Sequence, residues 1–435
     1  MPTIDGTPGH DTLLGTADND IINGLDGYDT LYGGDGNDTL NGMDGGDRLT
    51  GGQGSDGLNG GSEFDTADYQ ASPFAVTVDL AAGTGHGGDA EGDTLIGIEG
   101  VMGSDFADHL YGDAGANVVS GGGGDDVLWG GPGADLFWGS GGTDFVSYQG
   151  SSAAVRIDLS GFHIFAYGGD ATGDDFSATN LQNLLGSSHN DILKGSDQAN
   201  ILQGASGDDR ITGLGGNDTL EGGDGNDGVG GGAGADVLRG GAGGDGLDGG
   251  DGSDTASYWY SSVGVTVDLA TGTGHGGEAE GDILSGFEIL SGGQGDDHLT
   301  GDALANTLQG WNCSDVLTGG AGKDVLYGGV GADRFVFTRI GDSLTGANAD
   351  RITDFSHAQG DKIDLSAIDA DTGAAGDQAF SFIGTALYSG VAGQLRFVSD
   401  GTVTTIAGDI DGDGVSDFHI QLAGAIGLLA GDFVL

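Results

Sequence analysis

Positive charge is almost missing from this chain: 11 Lys and Arg stand against 68 Asp and Glu, a formal net charge of −57 over 435 residues. Such a chain repels itself when compact and is a poor partner for nucleic acid or an anionic membrane surface. A single cysteine, Cys313, excludes an intrachain disulfide framework. No apolar run approaches the length of a transmembrane segment. Met1-Pro2-Thr3-Ile4-Asp5 shows neither the basic nor the apolar region of a secretory signal peptide, so an exported chain would carry its address elsewhere. There are 4 prolines, and the 98 glycines follow no three-residue period, which excludes a collagen-like chain. No His opens an HExxH pattern, and the G-x-S-x-G and Walker A patterns are also absent.

What is present is a nine-residue period. Asp11, Asp20, Asp29, Asp38, Asp47, Asp56 and Asp65 are spaced nine apart, and Leu13, Ile22, Leu31, Leu40, Leu49 and Leu58 follow the first six by two. The phase returns at Asp108, Asn117, Asp126, Asp135 and Asp144. It returns again at Asp191, Asn200, Asp209, Asp218, Asp227, Asp236, Asp245 and Asp254, and last at Asp297, Asn306, Asp315, Asp324 and Asp333. Written out from Gly33, the unit is Gly-Gly-Asp-Gly-Asn-Asp-Thr-Leu-Asn. Its glycines permit positive φ in a tight turn, and its last three residues make a short strand with one inward side chain. Two units form one coil, so Leu31 should stack on Leu49 and Leu40 on Leu58. The fold class is therefore all-β, a parallel β-roll or β-solenoid. One apolar residue in nine is a thin return for ordering all nine, so something else must stabilise the turns. A lone Asp would need no more than an Asx-turn. Stacked Asp columns in so acidic a chain call for a cation, and short hard oxygen ligands suit Ca²⁺.

Three longer units interrupt the phase, over residues 65–107, 144–190 and 254–296. The first and third align without gaps at an offset of 189: Val76-Thr77-Val78-Asp79-Leu80 matches Val265-Thr266-Val267-Asp268-Leu269, and Gly85-His86-Gly87-Gly88 matches Gly274-His275-Gly276-Gly277. We read them as wider coils that continue the solenoid. His86 with Asp89, Glu91 and Asp93, and His275 with Glu278, Glu280 and Asp282, could hold a metal or do catalysis. The plainer reading is a polar loop with solvated acids, and the duplication favours scaffold. The expected organisation is repeat blocks at 1–67, 103–147, 186–257 and 292–336, wider insertions at 68–102, 148–185 and 258–291, and a C-terminal β cap and secretion signal at 337–435.

The nonapeptide resembles that of the repeats-in-toxin (RTX) family, GGxGxDxUx with U a large apolar residue. The resemblance implies several Ca²⁺ ions clamped between turns of adjacent coils, each held by an Asp carboxylate and backbone carbonyls. Carried over, Asp38 would act with the carbonyls of Gly33, Gly34, Asp35 and Gly36. The same role falls to Asp20, Asp29, Asp47, Asp56, Asp126, Asp135, Asp209, Asp218, Asp227, Asp236, Asp245, Asp254, Asp324 and Asp333. Asn117, Asn200 and Asn306 are expected to be weaker sites, and the turn 310–315, which lacks the Gly pair, is expected to be of the kind left empty. Arg334-Phe335-Val336-Phe337, Asp350-Arg351-Ile352-Thr353-Asp354-Phe355, Gly360-Asp361-Lys362-Ile363-Asp364-Leu365 and the ending Asp432-Phe433-Val434-Leu435 look like the C-terminal domain of serralysin-type secreted metalloproteases. That likeness implies an uncleaved type I secretion signal, the type I secretion machinery as a partner, and a bacterial extracellular or cell-surface location. Asp409, Asp411, Asp413 and Asp417 occupy positions 1, 3, 5 and 9 of an EF-hand-like loop, but position 12 is Ile420. An Asp-rich turn between strands competes with the metal loop.

These readings point to a secreted calcium-binding protein that folds on binding calcium and is not an enzyme, a structural, surface or matrix-interaction component. The alternative is a carbohydrate-active enzyme or polysaccharide-binding module acting on extracellular polysaccharide.

Overall fold

The computed structural model describes residues 2–161, 165–176 and 181–435, which form two compact units, Met1–Thr219 and Leu220–Leu435. Among the described residues there is no α-helix, only strands and short 3₁₀ turns.

In the first unit the nine-residue phase becomes a parallel β-roll. The strand Thr30–Asp35 pairs in parallel with Arg48–Gln53, with Leu31 opposite Leu49. Thr39–Asp44 pairs likewise with Gly57–Ser62 in another sheet, with Leu40 opposite Leu58. Side chains alternate along a strand, so each strand sends in its Leu and, two residues on, a glycine. In Thr39–Asp44 these are Leu40 and Gly42. Leu31, Leu40, Leu49, Leu110, Val119, Leu128 and Leu193 are fully buried. The core is thus a pair of single-residue ladders, closed at each turn by an Asp.

The wider units continue the roll by a detour. In the first, Thr77–Asp79 pairs antiparallel with Thr84–His86, which meets Thr94–Ile96 through one antiparallel pair. Thr94–Ile96 lies parallel to the preceding rung Gly57–Ser62, and Thr77–Asp79 lies parallel to the following rung His109–Tyr111. Three strands therefore stand where the roll has one, and their order in the sheet is reversed relative to the chain. In the other sheet Gly100–Met102 bridges directly between Thr66–Asp68 and Val118–Gly123. In the middle unit Arg156–Asp158 pairs antiparallel with Phe165–Tyr167 and parallel with Ile192–Lys194.

The second unit opens with the same roll, Gly228–Gly234 against Gly246–Gly252. Its wide coil repeats the first one: Thr266–Asp268 pairs antiparallel with Thr273–His275, and Ile283–Ser285 lies parallel to Gly246–Gly252. At the C-terminal end both faces are extended and then covered. Lys362–Asp364 continues one face beyond Arg334–Val336 and carries Phe433–Val434. Asp350–Ile352 continues the other and pairs with Phe418–Ala423, the last strand of an antiparallel meander with Val403–Asp409 and Gln394–Ser399. A solenoid needs such an end, because an uncovered rung offers unpaired backbone groups.

Leu40 is fully buried in its rung, between Ile22 and Leu58. Leu40→Ala should cost about 2–5 kcal/mol, read from urea unfolding of the folded protein. A change within error would show that the ladder carries little of the stability.

Candidate metal centre

Each column Asp has two oxygens with different duties. One accepts the backbone N–H of the Asp one coil earlier: Asp20 N–H donates to Asp38 Oδ1 at 2.7 Å, Asp38 to Asp56 at 2.7 Å and Asp108 to Asp126 at 2.8 Å. In the second unit Asp227 donates to Asp245 and Asp236 to Asp254, both at 2.8 Å. The carboxylate therefore stitches coil to coil, a role that an Asx-turn within one turn does not include.

The fate of the other oxygen divides the turns into two kinds. In closed turns the residue four before the Asp donates its N–H to it: Thr16 to Asp20 at 2.7 Å, Gly293 to Asp297 at 2.7 Å, and Ser104 to Asp108 and Ser187 to Asp191 at 2.5 Å. Asn117, Asn200 and Asn306 receive the same bond from Asp113, Ser196 and Asp302, so their Oδ1 is already engaged. In open turns the residue four before has positive φ, as at Leu25, Gly34, Met43, Gly52, Gly61, Gly122, Gly131, Gly241, Gly250, Trp311, Gly320, Gly329 and Gly346. Positive φ turns the N–H away. The matching Asp29, Asp38, Asp47, Asp56, Asp65, Asp126, Asp135, Asp245, Asp254, Asp315, Asp324, Asp333 and Asp350 all keep a buried Oδ2 without a hydrogen-bond partner, and none of them is in an ion pair.

A buried, unpartnered carboxylate oxygen is costly, and its titration registers the cost. Burial, reinforced by the neighbouring column carboxylates, pushes Asp56, Asp65, Asp135 and Asp315 up to about 7 and Asp126 and Asp350 up to about 8. Asp245, Asp324 and Asp333 rise to about 6 for the same first reason. Oxygen crowds the same place from the backbone: a Cβ added at Gly33 would collide with both Asp38 Oδ2 and the Gly51 carbonyl, so only glycine fits there. The carbonyls of Gly34 and Gly36 face Gly52 and Gly54 of the next coil, while the Asp35 side chain is exposed. Hard oxygens, a net negative charge and no protein cation fit Ca²⁺.

The structure places the column carboxylates as follows. Asp29, Asp38, Asp47, Asp56, Asp126, Asp135, Asp209, Asp218, Asp227, Asp236, Asp245, Asp254, Asp324 and Asp333 are all buried at turns. Asp20 is buried too, but its Oδ2 is taken by Thr16 and its Oδ1 is unpartnered. The residue eighteen before it is Pro2, which has no N–H to give. Asp20 thus offers its Oδ1, not its Oδ2, as the oxygen without a partner. Asp65 and Asp315, which the repeat pattern alone does not mark as ligands, keep the same unpartnered Oδ2. Asp350 lies 26 residues after Asp324, accepts its N–H at 2.9 Å, and no repeat pattern marks it.

The wide units end columns without any cation. Asp93 accepts Asp56 N–H at 2.7 Å with one oxygen and the Tyr69 hydroxyl at 3.0 Å with the other. Asp174 does so with Asp135 and Tyr148, and Asp282 with Asp245 and Tyr258. The three tyrosines are buried. This corrects the reading of Asp93 and Asp282 as solvated loop acids. His86 and His275 are exposed, while Glu91 and Glu280 accept the N–H of Gly87 and Gly276. Asp93 and Glu91, and likewise Asp282 and Glu280, are thus engaged separately.

Asp409, Asp411 and Asp413 do converge, with one oxygen from each within 4.8 Å of the others. They lie in the loop of an antiparallel hairpin, so the turn-between-strands reading describes the backbone. Asp409 is buried and accepts the N–H groups of Gly412 and Gly414, whereas Asp411 and Asp413 are exposed.

Two family models match parts of the chain. Residues 3–31, 32–67, 102–137, 111–146, 185–220, 194–229 and 221–256 match a family described as RTX calcium-binding nonapeptide repeat (4 copies). Residues 287–435 match one described as Peptidase M10 serralysin C terminal. No curated protein matches significantly. Among solved structures, the AlgE6R3 and AlgE6R2 subunits of the Azotobacter vinelandii mannuronan C5-epimerase are each 28% identical. They cover 41% and 42% of this chain and 81% and 91% of their own, with TM-scores of 0.21 and 0.22. Scores so low lend no argument about fold or activity.

A carboxyl whose pKa is raised on folding favours the folded state while protonated. That advantage is complete below its unfolded value, near 4, and is lost as pH rises through 6 to 8. In excess chelator the chain should hence show more β-structure by circular dichroism at pH 5 than at pH 8.5. Equal spectra, or more structure at the higher pH, would contradict the raised values.

Proposed function

We propose that this chain, with its RTX calcium-binding repeats and serralysin-type C-terminal domain, is exported through a type I secretion system and folds on meeting calcium outside the cell. The observation that carries the reading is the row of buried Oδ2 atoms without a hydrogen-bond partner at the thirteen turn Asp named next. Without a cation they oppose the compact state; with one, each becomes a ligand. Asp29, Asp38, Asp47, Asp56, Asp65, Asp126, Asp135, Asp245, Asp254, Asp315, Asp324, Asp333 and Asp350 are the proposed carboxylate ligands, with turn carbonyls such as those of Gly34 and Gly36. Asp209, Asp218, Asp227 and Asp236 are proposed from their place in the columns. Ca²⁺ would supply the positive charge that the sequence lacks.

Ions that bind only the folded state add stability by mass action. Extracellular-type sites of roughly 10⁻⁴–10⁻³ M would stay empty at cytosolic calcium, so the chain would remain extended and transportable. The serralysin-type end supports export, and the roll supports a structural role at a surface or in an extracellular matrix.

Calcium titration followed by circular dichroism should show a cooperative gain of β-structure, reversed by chelator. Folding that is complete in excess chelator at neutral pH would sink the proposal. A gradual, non-cooperative gain would refute the stacked-column mechanism.

A further inference from the structure

Several residues that hold positive φ four before a column Asp are not glycine, and Trp311 is the most demanding, since a bulky side chain there is a steric outlier. Its φ is 75°, and Cys313 two residues on has φ 74°. Such strain persists only where the surroundings over-determine it. Here the indole meets Trp259 edge-on at 5.1 Å and Tyr327 at 5.4 Å between ring centroids, and its Nε1 donates to Ser291 Oγ at 2.9 Å. The Cys313 thiol donates to the Gln294 carbonyl at 3.1 Å. The strand Thr307–Asn312 consequently runs on through the turn, with Trp311 opposite Gly329. Asp315 is 1% exposed and its Oδ2 has no partner.

The turn one coil earlier behaves in the opposite way. Residues 292–297 read Gly-Gly-Gln-Gly-Asp-Asp, the repeat pattern itself. Yet the strand Ile289–Ser291 stops short, and Gly293 N–H closes on Asp297 Oδ2 at 2.7 Å.

We infer that backbone conformation four residues before the Asp, rather than glycine there, selects the turns that hold calcium, and that the turn 310–315 is a calcium site while 292–297 is not. This rests on the calcium reading above. The closed turn spends its carboxylate on its own N–H, whereas the open turn leaves an oxygen that only a cation can satisfy.

The test is calcium bound at saturation, by equilibrium dialysis of the full chain and of Asp315→Asn and Asp297→Asn. Asn keeps the Oδ1 that accepts Asp297 N–H in one case and Val265 N–H in the other, so the inter-coil bonds survive. Asp315→Asn should lose about one ion per chain, and Asp297→Asn none. A readout that spares the ligand is terbium luminescence excited through tryptophan, which should fall in Trp311→Phe. Wild-type binding that is unchanged in Asp315→Asn, an ion lost in Asp297→Asn, or unaltered terbium emission would overturn the inference alone. A wild-type chain that binds no calcium would overturn the calcium reading with it.

Discussion

The structure depends on one repeated bond: the backbone N–H of a turn Asp to the carboxylate of the Asp one coil further on. It holds most of the column side chains in one orientation and aligns successive turns. It also spends one carboxylate oxygen and leaves the other, so structure and metal demand are two ends of a single side chain. A buried carboxylate held this firmly cannot swing out to water when the ion is missing. The apo roll therefore faces repulsion and desolvation together, and a thin Leu ladder is a weak counterweight.

Local backbone geometry then decides what each carboxylate does. Where the fourth residue before the Asp has ordinary φ, the turn satisfies itself, and a Ser or Thr hydroxyl often joins, as Thr16 Oγ does at Asp20. Where φ is positive, the strand commonly extends to six residues and the oxygen is left over, as in Thr30–Asp35 before Asp38. Positive φ at Leu25, Met43 and Trp311 carries a strain of order 1–3 kcal/mol each, which the stacked neighbours must hold in place.

Much of this was legible in the residues. The nine-residue phase predicts the eighteen-residue stacking of Leu31 on Leu49 and the buried Asp columns, because period and alternation are properties of the chain itself. What was not legible depends on contacts between coils. Glycine is only a proxy for positive φ: the turn 310–315 lacks the Gly pair yet has positive φ at Trp311, whereas the Gly-Gly turn 292–297 closes Gly293 N–H on Asp297. Asp93 and Asp282 looked like loop acids beside a histidine, because spacings of 37 residues from Asp56 and Asp245 hide their place in the columns. Asp350 sits beyond the last repeat, where the chain abandons its period while the column continues.

The tyrosine–aspartate pairs at the wide units have a consequence for how such a chain can grow. Each pair finishes a column with a neutral hydroxyl, so neither an unpaired carboxylate nor an absent ion is passed on to the next rung. A stretch that closes one of its columns carries part of its own termination with it. It can be copied into the array with one column end already satisfied, and the gap-free likeness of 65–107 to 254–296 is the imprint such a duplication would leave.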